Sequence, residues 1–579
     1  MAEILSLRHE RIDDVPLIIG VANQLGMGKI LNSHLGTHGL QQGLNNGQLA
    51  VGWLGYILSQ ADHRKSAVRE WANAMPDTLE RLLCRPIREV DFSDDRLGGV
   101  LRRLSDDQAW EAIERDLWAA TLTVFEVPLS GVRLDSTTTY GYHRPSDDGL
   151  MQYGHSKDHR PDLPQLKLMA AAAQPLGHLL ACDVLAGQCA DDPLYTPLIR
   201  RVRSIVGRSG LLYVGDCKMA ALATRAELAF HQDYYLTPLP LTGDTAHEFE
   251  AWLTAVVDGQ KTATLIWDGG CLLGAGYEFQ RSQATTLKDT QGVTQTVSWT
   301  ERVQVFRSLA LWQSQQETQE KRLTAASAAL RALTPKPGRG KRPIRDQTAL
   351  HQAVNKVLKR YDVAGLLTVT WQRHETSTTR CQGRGRPGPK RPIHTQTQVH
   401  YVICDVQRNQ SAIAAYQRRL GWRAQVTNTP VDVLPLSQAI LHYREGWVLE
   451  RDFHIVKDLP LGLSPLFVWK DDQIKGLVRL LTLALRLLTL IESQVRQGLA
   501  KAQQTMSGLY EGQPKRQTNR PTAKRILCAF AKAHITLTHI ETNSGTIWHI
   551  TPLSPLHEQI LNYLHAPASL YSAPVYNSS

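Results

Sequence analysis

Apolar residues recur at three- and four-residue intervals early in the chain, as in QLAVGWLGYILSQ (48–60) and DQAWEAIERDLWAATL (107–122). That is the period of a helix with one buried face, and the acids of DFSDDRLGGVL (91–101) supply a cap before such a run. Residues 1–128 are therefore expected to form a helical N-terminal domain, with helix-turn-helix contact to DNA and ordinary helix packing both open. From 129 the period changes. LKLMAAAAQPLGHLLACDVLAG (166–187) predicts two strands around a Gln-Pro-Leu-Gly turn, and LLYVGD (211–216) and DYYLTPLPL (233–241) predict two more. Helical runs at 191–206 and 219–232 lie between them. The alternation predicts an α/β sheet covered on both faces.

Residues 245–405 break this alternation. TATLIWDGG, TQTVSWTERVQVFRS and QVHYVICD predict strands, a polar helix covers 313–333, and two basic connectors rich in Gly and Pro run at 334–345 and 380–394. The stretch is expected to be an inserted β-rich module whose basic loops touch phosphates. Helix and strand return over 406–504, and 505–579 reads as a basic linker with a small helical segment. The longest apolar run, LVRLLTLALRLLTLI (477–491), falls short of the ~17–25 residues of a membrane span and contains Arg479 and Arg486. It predicts a buried core helix and no membrane partner.

Charge narrows the class of partner. The 65 Lys and Arg outnumber the 54 Asp and Glu among 579 residues, a formal +11, which favours a polyanion, with nucleic acid foremost. The eight cysteines include no Cys-x-x-Cys pair, so neither a disulfide framework nor a zinc ribbon is signalled. The first residues contain acids and no apolar signal segment, and a cytoplasmic location is expected.

Three carboxylates then stand out. Asp135, in GVRLDSTTTYGYH, and Asp216, in LLYVGDCKMAA, are each expected to end a strand, where ligand chemistry collects in open α/β sheets. Either alone is more commonly a cap or turn residue. In YREGWVLERDFHIVK, Tyr443, Glu450 and Lys457 recur every seven residues. On one helix they would return to within about 20° and form a stripe roughly 21 Å long, beside Trp447 and His454. Acid, base and aromatic on one stripe argue against a plain amphipathic helix.

These residues carry a resemblance. RLDSTTTYGYH, YGHSKDHRPDLPQLKLMA and VGDCKMAALATRAEL resemble blocks of the DDE transposases of bacterial insertion sequences, in the IS-sixteen-thirty-four branch of the IS-four superfamily. Tyr443, Glu450 and Lys457 match that family's Tyr-(2)-Arg-(3)-Glu-(6)-Lys signature, with Gly446 where the family has Arg. The N-terminal stretch 47–72 is also similar to this branch.

The resemblance implies an RNase H-like catalytic core, in two parts over 129–244 and 406–504, interrupted by a largely β insertion over 245–405. It implies that Asp135, Asp216 and Glu450 bind two Mg²⁺ ions, with Mn²⁺ able to replace them, for cleavage at element ends and strand transfer into target DNA. It further implies DNA contacts by Tyr443, Lys457, Arg444 and Trp422, and a homodimer on double-stranded DNA at the bacterial nucleoid. His155, Lys157, His159 and Arg160 are candidate DNA contacts, and Asp158 and Asp162 are decoy carboxylates. Two other readings stand beside this one: a decayed transposase acting as a DNA-binding repressor, and a structure-selective nuclease on the same fold.

Overall fold

The computed structural model describes residues 4–37, 39–288, 294–335, 342–381, 393–458, 460–543 and 545–572. A first strand, β1 (Ile4–Arg11), precedes seven helices: α1 (Val15–Gln24), α2 (Met27–Leu35), α3 (Asn46–Gln60), α4 (Lys65–Asn73), α5 (Pro76–Leu83), α6 (Asp94–Leu104) and α7 (Asp107–Phe125). Local chemistry fixes their starts. Asn45 and Gln48 form a reciprocal capping box at α3, and the Asp106 carboxylate accepts from Ala109 N at 2.8 Å at α7.

The chain then enters a nine-stranded mixed sheet. Its strands are β2 (Gly131–Tyr140), β3 (Gln165–Gln174), β4 (His178–Ala186), β5 (Leu212–Val214), β6 (Tyr234–Pro238), β7 (Thr264–Asp268), β8 (Cys271–Lys288) and β9 (Thr294–Ser308). After a separate hairpin, β10 (Leu367–Cys381) and β11 (Ile393–Arg408), the ninth strand is β12 (Trp422–Thr427). The order is β4-β3-β2-β5-β6-β12-β9-β8-β7, with β2, β5 and β6 parallel and the other neighbours antiparallel. Helices α8 (Tyr195–Val206), α9 (Leu222–Phe230) and α10 (Gly243–Val257) follow the early strands, and α11 (Leu309–Ala332), α12 (Gln347–Arg360) and α13 (Gln410–Arg418) surround the hairpin. Next come α14 (Leu436–Arg444), α15 (Trp447–Lys457), α16 (Asp471–Ala502), α17 (Ala523–Ala531), the hairpin β13 (Thr536–Thr542) and β14 (Gly545–Ile550), and α18 (Pro555–Tyr563).

The expected mixed α/β class is present, and its subdivision differs from expectation. The N-terminal helices share one continuous core with the main sheet, because α16 is buried nearly all round and packs against both. The stretch 245–405 is divided: β7, β8 and β9 extend the main sheet, whereas α11 to α13 with β10 and β11 enclose a core of their own around Leu323, Leu350 and Val406. The C-terminal segment is more than helical, since β13 pairs antiparallel with β1 and ties the two ends of the chain together. The run at 477–491 is indeed a buried helix, and no helix among the described residues is long and apolar enough to cross a membrane.

Candidate active site

Strand β2 runs on through Tyr140, so Asp135 lies in its middle rather than at its end, as the β-branched Thr137, Thr138 and Thr139 favour. Asp216 lies two residues past β5. The parallel register pairs Arg133 with Val214, and each aspartate stands two residues beyond one member of that pair. Alternation of side chains along a strand puts Arg133 and Asp135 on the same face of β2. Both line a cavity of about 390 Å³ with Asp216, Arg423, Tyr443, Arg444, Gly446, Trp447 and Glu450.

The third acid arrives on a broken helix. The expected single helix from Tyr443 to Lys457 is interrupted between α14 and α15, where Glu445 and Gly446 join them. Glu445, with ψ of 6°, is where the helical geometry is lost, and Gly446, at helical angles, precedes the first turn of α15. Tyr443 and Glu450 still reach one cavity, but Lys457 does not: its ammonium pairs with the Asp158 carboxylate at 2.6 Å.

Each acid is differently held. Asp135 Oδ1 accepts from Ser136 N at 2.7 Å and lies 3.5 Å from the Lys157 ammonium, which also donates to the Ser136 carbonyl at 2.5 Å. Burial pushes the Asp135 carboxyl above the usual carboxylate range, with Lys157 opposing. Asp216 Oδ1 accepts from the Tyr195 hydroxyl at 2.6 Å and from Lys218 N at 2.9 Å, and Thr237 Oγ1 donates to the Asp216 carbonyl at 2.7 Å. Burial, then the charge of Asp216, keeps the Tyr195 phenol protonated as a donor. Glu450 is exposed, and its carboxylate makes no hydrogen bond or ion pair with the described residues.

Three hard oxygen donors with lone pairs to spare suit a divalent ion in kind. In this conformation they stand apart: among the described residues no three His, Cys, Asp or Glu side chains are gathered tightly enough to hold one.

The remaining sequence candidates divide. Arg444 lines the cavity rim and is exposed. Trp422 is half-buried at the start of β12 and donates Nε1 to the Arg418 carbonyl at 3.1 Å; its neighbour Arg423, on the opposite face of the strand, lines the cavity instead. Arg160 is engaged with Asp162 at 2.8 Å and lies over the Tyr140 ring. Of the connector residues, Arg339, Lys341, Arg384, Arg386, Lys390 and Arg391 lie outside the described residues. Sequence reasoning missed Arg133 and Tyr195. The first carried a signal, its two-residue spacing from Asp135; the second, 21 residues from Asp216, carried none.

Residues 128–487 match the family described as "Transposase DDE domain". No curated protein matches the chain. Among solved structures, a cryo-EM structure of a piggyBac transposase synaptic complex with hairpin DNA aligns over 51% of this chain and 63% of its own, at 11% identity and a TM-score of 0.25. The chain thus spans less than two thirds of that protein's length.

Proposed function

The chain belongs to the transposase DDE-domain family, and from that premise we propose that it is a DNA transposase of an insertion sequence, cutting at the element ends and joining them to target DNA. The carrying observation is the convergence of Asp135, Asp216 and Glu450, from three elements far apart in sequence, onto one cavity also lined by Arg133, Arg423 and Arg444. The mixed sheet, with antiparallel β2 to β4 beside parallel β5 and β6, supports the reading of the core as RNase H-like.

Asp135, Asp216 and Glu450 would hold two divalent ions, Mg²⁺ or Mn²⁺, which when bound activate a water or 3′-hydroxyl and stabilise the leaving oxygen. The chain's own groups position the DNA. Arg423 and Arg444 attract the backbone into the cavity. Tyr443, whose phenol burial pushes up to about 12, stays protonated as a hydrogen-bond donor to a terminal phosphate. Tyr195 and Lys218 N fix one oxygen of Asp216 and leave the other open. Lys457 contacts DNA on leaving Asp158, and Trp422 contacts bases outside the cavity. The DNA-bound form is a homodimer acting at the nucleoid.

A supercoiled plasmid carrying the DNA that flanks the coding sequence tests this reading. Incubation with the protein and Mg²⁺ gives cuts at inverted repeats that chelation abolishes. Duplex binding without any metal-dependent cut would favour the repressor reading instead.

A further inference from the structure

Five arginines are buried among the described residues: Arg133, Arg225, Arg302, Arg479 and Arg486. Four have a carboxylate partner. Arg225 pairs with Glu301 at 2.5 Å, Arg302 with Glu278 at 3.1 Å, Arg479 with Asp107, and Arg486 with Glu114 at 2.8 Å. Arg133 has none within ion-pair distance among the described residues, although it is only 6% exposed. Glu445, Asp135 and Glu450 act on it only from beyond ion-pair distance; a buried cation with no carboxylate bonded to it is costly, so a fold that keeps one leaves a place for an anion.

The guanidinium is held from behind and open in front. Nη2 donates to the His442 carbonyl at 2.7 Å, the group lies over the Tyr443 ring at 5.9 Å, and Gln174, with its carboxamide oxygen turned inward, accepts from Nε at 3.3 Å. Nη1 makes no hydrogen bond with the described residues. A Cβ on Gly446 would stand 3.2 Å from it. Gly446 has ordinary helical backbone angles, so nothing in its conformation requires glycine; a side chain there would press on the Arg133 guanidinium.

Resting on the transposase reading, we propose that Arg133 is a phosphate ligand of this cavity. Its Nη1 edge takes a non-bridging oxygen of a DNA phosphodiester, and Gly446 is the spacer that leaves the edge free. The cation that the family resemblance leads one to expect at 446 on the helix is thereby supplied from strand β2. A guanidinium suits this role because its fixed donors match the oxygens of a phosphate, and a charge-assisted bond in a partly dry site is stronger than one at the rim.

Fluorescence anisotropy with a 30-base-pair duplex across a salt series, on the full chain, tests the assignment. Arg133→Gln removes the charge and Gly446→Leu blocks Nη1 without touching it. Each is expected to weaken the duplex about 10- to 100-fold and to lower the slope of log affinity on log salt, by about 0.9 for Arg133→Gln. Arg133→Lys should restore part of the slope and little of the affinity. Wild-type affinity and slope in Gly446→Leu, or in a folded Arg133→Gln protein, would overturn the assignment. The transposase reading fails separately, if the unaltered protein binds the duplex and makes no metal-dependent cut in its flanking DNA.

Discussion

On α16, Arg479 and Arg486 stand seven residues apart within an apolar helix, and on α7 Asp107 and Glu114 stand seven residues apart facing them. Trp110 lies between the two pairs, with both guanidiniums over its ring at 5.3 and 5.4 Å. Arg486 also donates to the Leu179 and Leu180 carbonyls. Across the molecule, Arg133 is buried to a similar degree, with a carbonyl, a carboxamide and a ring around it and no carboxylate bonded to it. Burial of charge is common to both regions. What separates them is the counterion: α7 supplies one to each arginine of α16, so these arginines hold the fold, whereas the cavity leaves its cation to an incoming anion.

The largest effects should come from the acids of the cavity. Replacing Asp135, Asp216 or Glu450 with Ala is expected to reduce metal-dependent cleavage to background while duplex affinity, set mainly by Lys and Arg, changes about twofold or less. Parallel cleavage and binding assays check this, and cleavage persisting in Glu450→Ala removes that residue from the site.

Stability should show the opposite pattern. Arg486→Met leaves the buried Glu114 with Arg201 alone, at 3.5 Å, and strips the Leu179 and Leu180 carbonyls of their donor; it is expected to cost about 3 kcal/mol in chemical denaturation, with part of the loss recovered in Arg486→Met/Glu114→Met. Arg133→Gln should cost about 1 kcal/mol, the scale of the hydrogen bond to the His442 carbonyl. Equal losses at the two arginines would erase the distinction.

A pH effect sharpens the α16 side. His178 is buried on β4, with Nδ1 3.0 Å from Thr489 Oγ1, and burial first, then Arg486, lowers its pKa to about 3. Its folded value lies below the unfolded 6.5, so the unfolded chain binds the extra proton as pH falls. Stability is full above about 6.5 and is lost as pH drops below it, at about 1.4 kcal/mol per pH unit. His178→Gln should flatten that slope in denaturation curves between pH 6 and 4. The basic connectors act on DNA binding alone: neutralising Arg339, Lys341 and Arg342, or Arg384, Arg386, Lys390 and Arg391, should lower the salt slope by roughly 0.9 per lost phosphate contact.

Much of this was legible in the sequence where a pattern is local. The strands around Gln-Pro-Leu-Gly and the helix at 477–491 follow from period, and the choice of the three acids that line the cavity follows from the family resemblance. Pairings across long separations do not. Nothing local says that β7 to β9 join the main sheet or that β13 meets β1, because hydrogen bonding between strands depends on partners hundreds of residues away. The seven-residue stripe predicts one helix, and its interruption at Glu445 has no local signature beyond the neighbouring glycine. That Arg133 stands in for the arginine expected at 446 required the third dimension, although its place two residues before Asp135 already put both on one strand face.

The central claim is that Asp135, Asp216 and Glu450 bind the divalent ions as one site. Loading the protein with Fe²⁺ and adding ascorbate and peroxide cuts the backbone beside bound iron, and sequencing the fragments locates it. Cuts are expected near 135, 216 and 450 together, suppressed by excess Mg²⁺ and lost in Asp135→Ala. Cuts confined to other segments, or cuts at these three that Asp135→Ala leaves unchanged, would contradict it.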